Sequence, residues 1–167
     1  MAEDHQPNEV AAPIMELKGV LAKLSAFPIL VYEAGDVVLH ESSTTQRLLF
    51  LQHGVVDVVK DDVPLARVSE PGAVFGDMAL ILGRSHTANV LAVEPSSFFI
   101  IDDARAFLDA EPEVARYLMV LLAERLDAVN RLLIDARRVY LHAGQRHGVL
   151  DEMFTRIGRA LRISAHG

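Results

Sequence analysis

Hydrophobic and polar residues along this chain follow two different periods. From Ile14 to Phe27 apolar side chains recur every three or four residues, which predicts an amphipathic helix that ends before Pro28. From Ile29 to Ile101, short β-rich runs alternate with turn residues. The runs are LVYEAGD, VVLHE, RLLFLQHG, VVDVVKDD, PLARVS, TANVLAVEP and SSFFIID. Their spacing predicts an antiparallel β jelly-roll barrel.

Turn residues separate these runs. Gly35-Asp36 and Asp61-Asp62 predict tight turns, and Gly54 stands between two strand-like runs where a side chain would crowd a bend. The apolar segment from Met78 to Leu82 interrupts the strand pattern with a short helix. We expect its apolar side chains to fill the barrel mouth.

Helical patterns return after the last predicted strand. Asp102-Asp103 is expected to cap a short helix through Leu108, and Pro112 suits the first turn of a long helix to about Tyr140. The long helix has one apolar stripe, made of Leu118, Leu122, Leu126, Val129, Leu133 and Ala136. That stripe suits either the chain's own barrel or a second copy in a homodimer. The fold class is therefore α+β: a jelly-roll barrel with an N-terminal helix, a short inserted helix and a long C-terminal helix.

Domain organisation follows from these patterns. Residues 1–13 are polar and aperiodic and are predicted to be disordered, residues 14–140 form one domain, and residues 141–167 form a basic tail with room for one short helix at most. We expect this tail to be too short for a DNA-binding domain. The formal net charge of −7 also argues against nucleic-acid binding by the chain as a whole.

Composition restricts the location and the chemistry. The sequence shows no apolar run long enough to cross a membrane, no secretory signal and no cysteine. We therefore expect a cytoplasmic protein without disulfides, thiolate catalysis or iron–sulfur clusters.

The segment FGDMALILGRSHTANV, from Phe75 to Val90, carries the clearest candidate chemistry. Gly76 lets the backbone approach a ligand closely, and the helical turn that begins near Asp77 offers unpaired backbone N–H groups. The Asp77 carboxylate is an acceptor for a sugar hydroxyl. These features favour a sugar phosphate as the ligand.

Four segments together resemble the cyclic nucleotide-binding domain of bacterial catabolite-activator-type (Crp-Fnr-like) regulators, protein kinase A regulatory subunits and gated ion channels. They are YEAGDVV, LFLQHGVVDVV, PGAVFGDMAL and HTANVLA. The resemblance covers roughly residues 24–138. It implies the jelly-roll fold, with residues 78–82 as the helix of a phosphate cassette. It also implies that the C-terminal helix closes over the nucleotide and often forms a dimer interface.

The chain departs from the family's cassette at two positions. Asp77 stands where the family has a ribose-binding Glu, and His86 stands where it has a phosphate-binding Arg. Imidazole is mostly neutral at pH 7 and offers one N–H, whereas guanidinium is always charged and binds two phosphate oxygens. Affinity for a cyclic phosphate should therefore fall. Arg84, two residues upstream, is an alternative source of the missing charge.

The resemblance also implies the remaining ligand contacts. The cassette would hold ribose and phosphate through its side chains and the Gly76 and Met78 amides, and Asn130 on the long helix would meet the purine edge unless it is simply a solvated residue. Thr87 is either a strand residue or a hydroxyl donor, and Ala88 offers only its backbone N–H. The full candidate set is Phe75, Gly76, Asp77, Met78, Ala79, Arg84, His86, Thr87, Ala88 and Asn130.

A catalytic role is not supported by the residue pattern. Cupin enzymes share the jelly roll but need clustered metal-binding histidines, whereas His40, His53 and His86 are scattered, and His142 and His147 lie toward the polar tail. No Ser-His-Asp arrangement or Walker-type loop is present. Neither a cofactor nor an enzymatic activity is expected.

The sequence thus predicts a stand-alone cyclic nucleotide sensor for cAMP or cGMP that signals through its C-terminal helix to a protein effector or a second copy. Two alternatives stay open. The domain is degenerate and serves as a dimerisation or interaction scaffold, or it binds another small anion through His86, more tightly at pH 6 than at pH 8.

Overall fold

The computed structural model describes the backbone of residues 11–142, the side chains of residues 17–138, and residues 152 and 156. Of residues 1–13, which were predicted to be disordered, residues 1–10 lie outside the described residues, as does nearly all of the predicted basic tail, whereas residues 11–13 are helical. The chain divides into two compact units, Met1–Leu121 and Leu122–Gly167. The division falls inside the long helix, whereas the predicted domain boundary was at its end.

Four helices and eight strands make up the described chain. The helices are α1 (Ala11–Leu24), α2 (Asp77–Leu82), α3 (Ala104–Ala110) and α4 (Pro112–His142). The strands are β1 (Ile29–Tyr32), β2 (Val37–Leu39), β3 (Leu48–His53), β4 (Val56–Lys60), β5 (Val63–Val68), β6 (Val74–Phe75), β7 (Asn89–Ala92) and β8 (Ser96–Ile101).

The strands form two four-stranded antiparallel sheets, with the orders β1-β8-β3-β6 and β2-β7-β4-β5. Consecutive strands mostly lie in different sheets, so the chain winds between them as in a jelly roll. The predicted fold class is therefore confirmed. The β4–β5 hairpin turns at Asp61 and Asp62, which both have positive φ, as a two-residue type I′ turn requires.

Side chains of β3 and β8 alternate between two cores. Leu49, Leu51, Phe98 and Ile100 point into the barrel, between the two sheets. The intervening residues of both strands face a second core, which packs against the helices. That core consists of Val20, Leu24, Leu48, Phe50, Val74, Leu80, Phe99, Ile101, Ala104, Phe107, Val114, Tyr117 and Leu118. Because both faces of these strands are buried at residues 48–51 and 98–101, those segments, LLFL and FFII, are continuously apolar.

Several element boundaries differ from the prediction. Helix α1 runs from Ala11 to Leu24, not from Ile14 to Phe27. Pro13 is tolerated because the first helical turn does not need its N–H, and Phe27 has left the helix to pack edge-on against Phe107. Strand β6 was not predicted as a strand, since two residues are too few to show alternation.

The helices after the barrel begin as predicted. Asp103 caps α3 by accepting a hydrogen bond from the Ala106 N–H at 3.2 Å, whereas Asp102 pairs with Arg47. Pro112 starts α4. Of the predicted stripe, Leu118 is buried in the helix-side core, while Leu126 and Val129, in the second unit, are about half exposed.

Candidate functional site

Gly76 is the structural centre of the segment from Phe75 to Ala88, which we call the cradle. It joins β6 to α2 in a left-handed conformation, with φ of 87°. A Cβ at this position would lie 2.4 Å from the Arg47 carbonyl oxygen and 3.6 Å from His86 Cε1. The Arg47 carbonyl oxygen is too close for any Cβ, whereas the His86 distance is an ordinary contact, so this position requires glycine.

Helix α2 begins directly after this turn. Gly76 caps it without a side chain, and its carbonyl accepts a hydrogen bond from the Leu80 N–H at 3.1 Å. Asp77, in the first turn, is only 5% exposed. A carboxylate is favourable at a helix N-terminus, where the backbone N–H groups give a partial positive charge.

His86 is held by the loop between β2 and β3. Its backbone N–H donates to the Ser43 carbonyl, and its carbonyl accepts from the Ser42 N–H, both at 2.9 Å. Its ring Nε2 shares a hydrogen bond with the Thr45 hydroxyl at 2.7 Å, and the residue is only 6% exposed. The imidazole is therefore fixed in place beside Gly76.

Burial lowers the pKa of His86 below its ordinary value of 6.5. The ring is consequently neutral at pH 7. At residue 86 the cradle thus has a neutral group with one N–H.

We expect acidification from pH 7.5 to pH 5.5 to destabilise the wild-type protein more than a His86→Gln variant. The folded-state pKa is below the unfolded value, so the unfolded state binds more protons as the pH falls through 6.5. Above that pH, the contribution of His86 to the free energy of unfolding is constant. Below it, the free energy of unfolding falls by at most about 1.4 kcal/mol per pH unit. Urea unfolding at several pH values measures the slope.

Glutamine keeps a hydrogen-bonding group near Thr45, and His40→Gln, which removes an exposed histidine, is the matched control. Equal pH slopes for wild type and His86→Gln would show that the His86 ring is protonated equally in both states.

A cavity of about 210 Å³ lies within the strands close to the cradle. Its wall combines apolar side chains with Ser43, Thr45 and Arg47 and the aromatic ring of Tyr32. The lining residues are Tyr32, Val38, Leu39, His40, Ser43, Thr45, Arg47, Leu49 and Ile100. Thr45 links this barrel cavity to the cradle through its bond with His86.

The structure separates the candidate residues predicted from sequence. Phe75 and Ala79 are buried, whereas Met78 and Arg84 are exposed. Thr87, Ala88 and Asn130 are half-buried, and Asn130 belongs to the second compact unit. Ala79 and Arg84 line a different cavity from the barrel cavity. The ligand-binding roles of the ten candidates stay predictions.

Three residues that the sequence prediction missed surround the cradle. Thr45 binds His86, the Arg47 carbonyl crowds Gly76, and the Lys60 ammonium donates to the Thr87 carbonyl at 3.0 Å. Lys60 also contacts Glu41 at 3.3 Å. They come from other strands and loops, and no local motif marks them. Only the folded barrel brings them to residues 75–88.

Two further properties concern the described residues as a set. Within residues 11–142, no helix combines the length and the apolar character needed to cross a membrane. Nor do the described side chains bring three or more His, Cys, Asp or Glu residues together in an arrangement that would hold a metal ion.

Comparison with known proteins gives consistent results. Residues 29–109 match the family model described as cyclic nucleotide-binding domain. The chain is 25% identical over 143 residues to the human potassium/sodium hyperpolarization-activated cyclic nucleotide-gated channel 2, a match that covers 80% of this chain and 16% of the channel. The chain therefore spans a small part of that relative.

Solved structures give the same picture. The catabolite activator protein of Thermus thermophilus superposes with a TM-score of 0.61 and 27% identity, over 72% of this chain and 59% of that one. A cyclic nucleotide-binding domain from Methylobacillus flagellatus superposes with a TM-score of 0.54 and 23% identity, over 68% and 67% of the two chains. The second likeness concerns the fold alone.

Proposed function

Because residues 29–109 match the cyclic nucleotide-binding domain model, we propose that this protein is a regulatory module that binds cAMP or cGMP and signals through α4. The observation that carries the proposal is the left-handed Gly76, which leaves no room for a side chain and leads directly into α2. A turn of this kind is suited to close contact between backbone N–H groups and a phosphate.

Each cradle residue has a role in this proposal. The Gly76 and Met78 amides and His86 hold the phosphate, and Asp77 accepts from the ribose hydroxyl. Phe75, Thr87 and Ala88 complete the lining of the ligand. Phosphate and the Thr45 hydroxyl compete for His86 Nε2. Binding therefore has to replace an existing hydrogen bond, which lowers the net gain.

Support for output through α4 comes from the turn before the cradle. The Tyr117 hydroxyl, near the start of α4, donates to the Gly72 carbonyl at 3.3 Å, and the Gly72 N–H donates to the Leu51 carbonyl at 2.7 Å. Gly72 lies four residues before Gly76. A ligand that moves the cradle then changes contacts of α4, and the size of the response is bounded by the ligand's preference for one state.

We expect His86→Arg to bind cyclic nucleotide about 10- to 100-fold more tightly than the wild type. An ionised donor to phosphate contributes roughly 1.5–3 kcal/mol, more than a neutral one. Isothermal titration with cAMP and with cGMP at pH 7 measures both affinities. His53→Arg is the matched control, because it adds the same charge at an exposed position outside the cradle.

The proposal would be contradicted if neither the wild type nor His86→Arg bound cAMP or cGMP detectably. If only His86→Arg bound a nucleotide, the pocket would be intact but would lack a cation for the phosphate in the wild type. Titration of inorganic phosphate at pH 6 and pH 8 tests the anion hypothesis, which requires tighter binding at pH 6.

A second candidate function is an interaction scaffold that binds no nucleotide. The observation in its favour is that His86 is already bonded to Thr45 and to the loop of Ser42 and Ser43. In the second unit, large apolar side chains on α4 are exposed: Leu126, Val129, Leu132 and Ile134. These suit a homodimer interface. This function would be favoured if light scattering gave the mass of a dimer and titration with cAMP and cGMP showed no binding.

A further inference from the structure

A second cavity, of about 290 Å³, lies between α2, the β2–β3 loop and the start of α3. Thr44, Thr45 and Gln46 contribute polar groups to its wall, and Arg84 and Arg105 contribute two guanidinium groups. Ala79, Leu80 and Gly83 complete the lining, which contains no acidic residue. The size is near the lower end for small-molecule sites, so it suits a small ligand.

Hydrogen bonds fix the backbone next to both arginines. The Gly83 and Arg84 N–H groups both donate to the Ala79 carbonyl, which fixes the end of α2. On the other side, the Ala104 N–H donates to the Gln46 carbonyl at 3.3 Å and holds the start of α3 against the loop. Arg105 follows immediately. The cavity walls are therefore connected by hydrogen bonds, not merely adjacent.

Neither arginine of this cavity has an acidic partner among the described side chains. Among the side chains that the structure describes, Arg84 and Arg105 form no ion pair, whereas Arg67 binds Asp57 at 2.8 Å and Arg47 binds Asp102 at 2.6 Å. Two like charges on one cavity raise its potential, in a chain whose net charge is −7. An anion that contacts both guanidinium groups would relieve this repulsion.

We propose that this Arg84/Arg105 cavity is a second anion site, which takes a small diphosphate-type molecule. Guanidinium binds phosphate oxygens in bidentate fashion, and two guanidinium groups match two phosphoryl groups. The hydroxyls of Thr44 and Thr45 and the amide of Gln46 supply further donors. The site is distinct from the barrel cavity, although Thr45 lines both.

Pyrophosphate titration at fixed ionic strength tests the proposal. We expect Arg84→Gln and Arg105→Gln each to weaken pyrophosphate binding about tenfold or more, consistent with the loss of a charge-assisted bond. Lys18→Gln is the matched control, because it removes one exposed positive charge from α1. Inorganic phosphate should bind more weakly than pyrophosphate, since it satisfies one guanidinium group.

A competition experiment separates this site from the turn at Gly76 and from His86. With the wild type, an excess of cAMP should leave pyrophosphate affinity within about twofold. Loss of pyrophosphate binding in His86→Gln but not in the arginine variants would overturn the proposal, since the anion would then bind beside Gly76 and His86. Equal weakening by Lys18→Gln would also overturn it, as would no detectable binding to the wild type. These outcomes do not depend on whether the wild type binds nucleotide.

Discussion

Replacing Gly76 by alanine is expected to destabilise the protein by about 3 kcal/mol or more and to abolish any nucleotide binding. The left-handed backbone is strained for a residue with a Cβ, at about 1–3 kcal/mol. In addition, the new Cβ would lie 2.4 Å from the Arg47 carbonyl oxygen. That oxygen belongs to the backbone and cannot rotate away, so the turn or strand β3 has to shift. Urea unfolding gives the free energy of unfolding.

Gly35→Ala is the matched control for this substitution. Gly35 also has a positive φ, of 94°, but a Cβ there would meet nothing within 4 Å. The Gly35→Ala variant therefore has the backbone strain of a positive φ, but its Cβ does not collide with any neighbouring atom. We expect it to lose about 1 kcal/mol and to keep the cradle intact. If both variants lost the same free energy of unfolding, the close approach of the Arg47 carbonyl oxygen to residue 76 would add nothing to the backbone strain. The inference that Gly76 is closely packed would then be wrong.

Replacing Phe98 by alanine is expected to lower the free energy of unfolding by about 3–5 kcal/mol, the range for a large ring removed from a core. Phe98 is 0% exposed. Its ring makes edge contacts with Tyr32 and Phe75, at centroid distances of 5.7 Å and 6.0 Å. Because Phe75 immediately precedes Gly76, the resulting cavity also loosens the support of the cradle. The measurement is urea unfolding, followed by nucleotide titration under native conditions.

Two controls define this effect. Phe98→Leu keeps most of the apolar volume and should lose less than the alanine variant. Val31 lies on strand β1 opposite Ser97, the residue before Phe98, but it is 63% exposed, so we expect Val31→Ala to change the free energy of unfolding by no more than about 0.5 kcal/mol. A loss as large for Val31→Ala as for Phe98→Ala would contradict the assignment of the barrel core.

The position of His86 connects the stability and the binding predictions. Burial of the ring lowers its pKa, and the Thr45 hydroxyl contacts its Nε2. Arginine at this position would carry a permanent charge but would lose the imidazole's contact with Thr45. Comparison of stability and affinity in one variant, His86→Arg, therefore shows which property this residue serves.

Local interactions allowed the sequence to determine much of this protein. The strand runs, the positive-φ turn at Asp61 and Asp62, the Asp103 cap and the start of α4 at Pro112 each depend on residues a few positions apart. The glycine-anchored segments then identified the family and located Gly76 and His86 in one segment.

Only the tertiary structure decided which groups surround that segment. Thr45 and His86 are separated by 41 positions, and Arg84 and Arg105 meet at one cavity because α3 is tied to the β2–β3 loop. Residues 48–51 of β3 and 98–101 of β8 are all apolar, so the sequence could not assign their alternating faces to the two cores. Contacts between distant residues depend on how strands pair and sheets pack, and local sequence carries no record of that pairing.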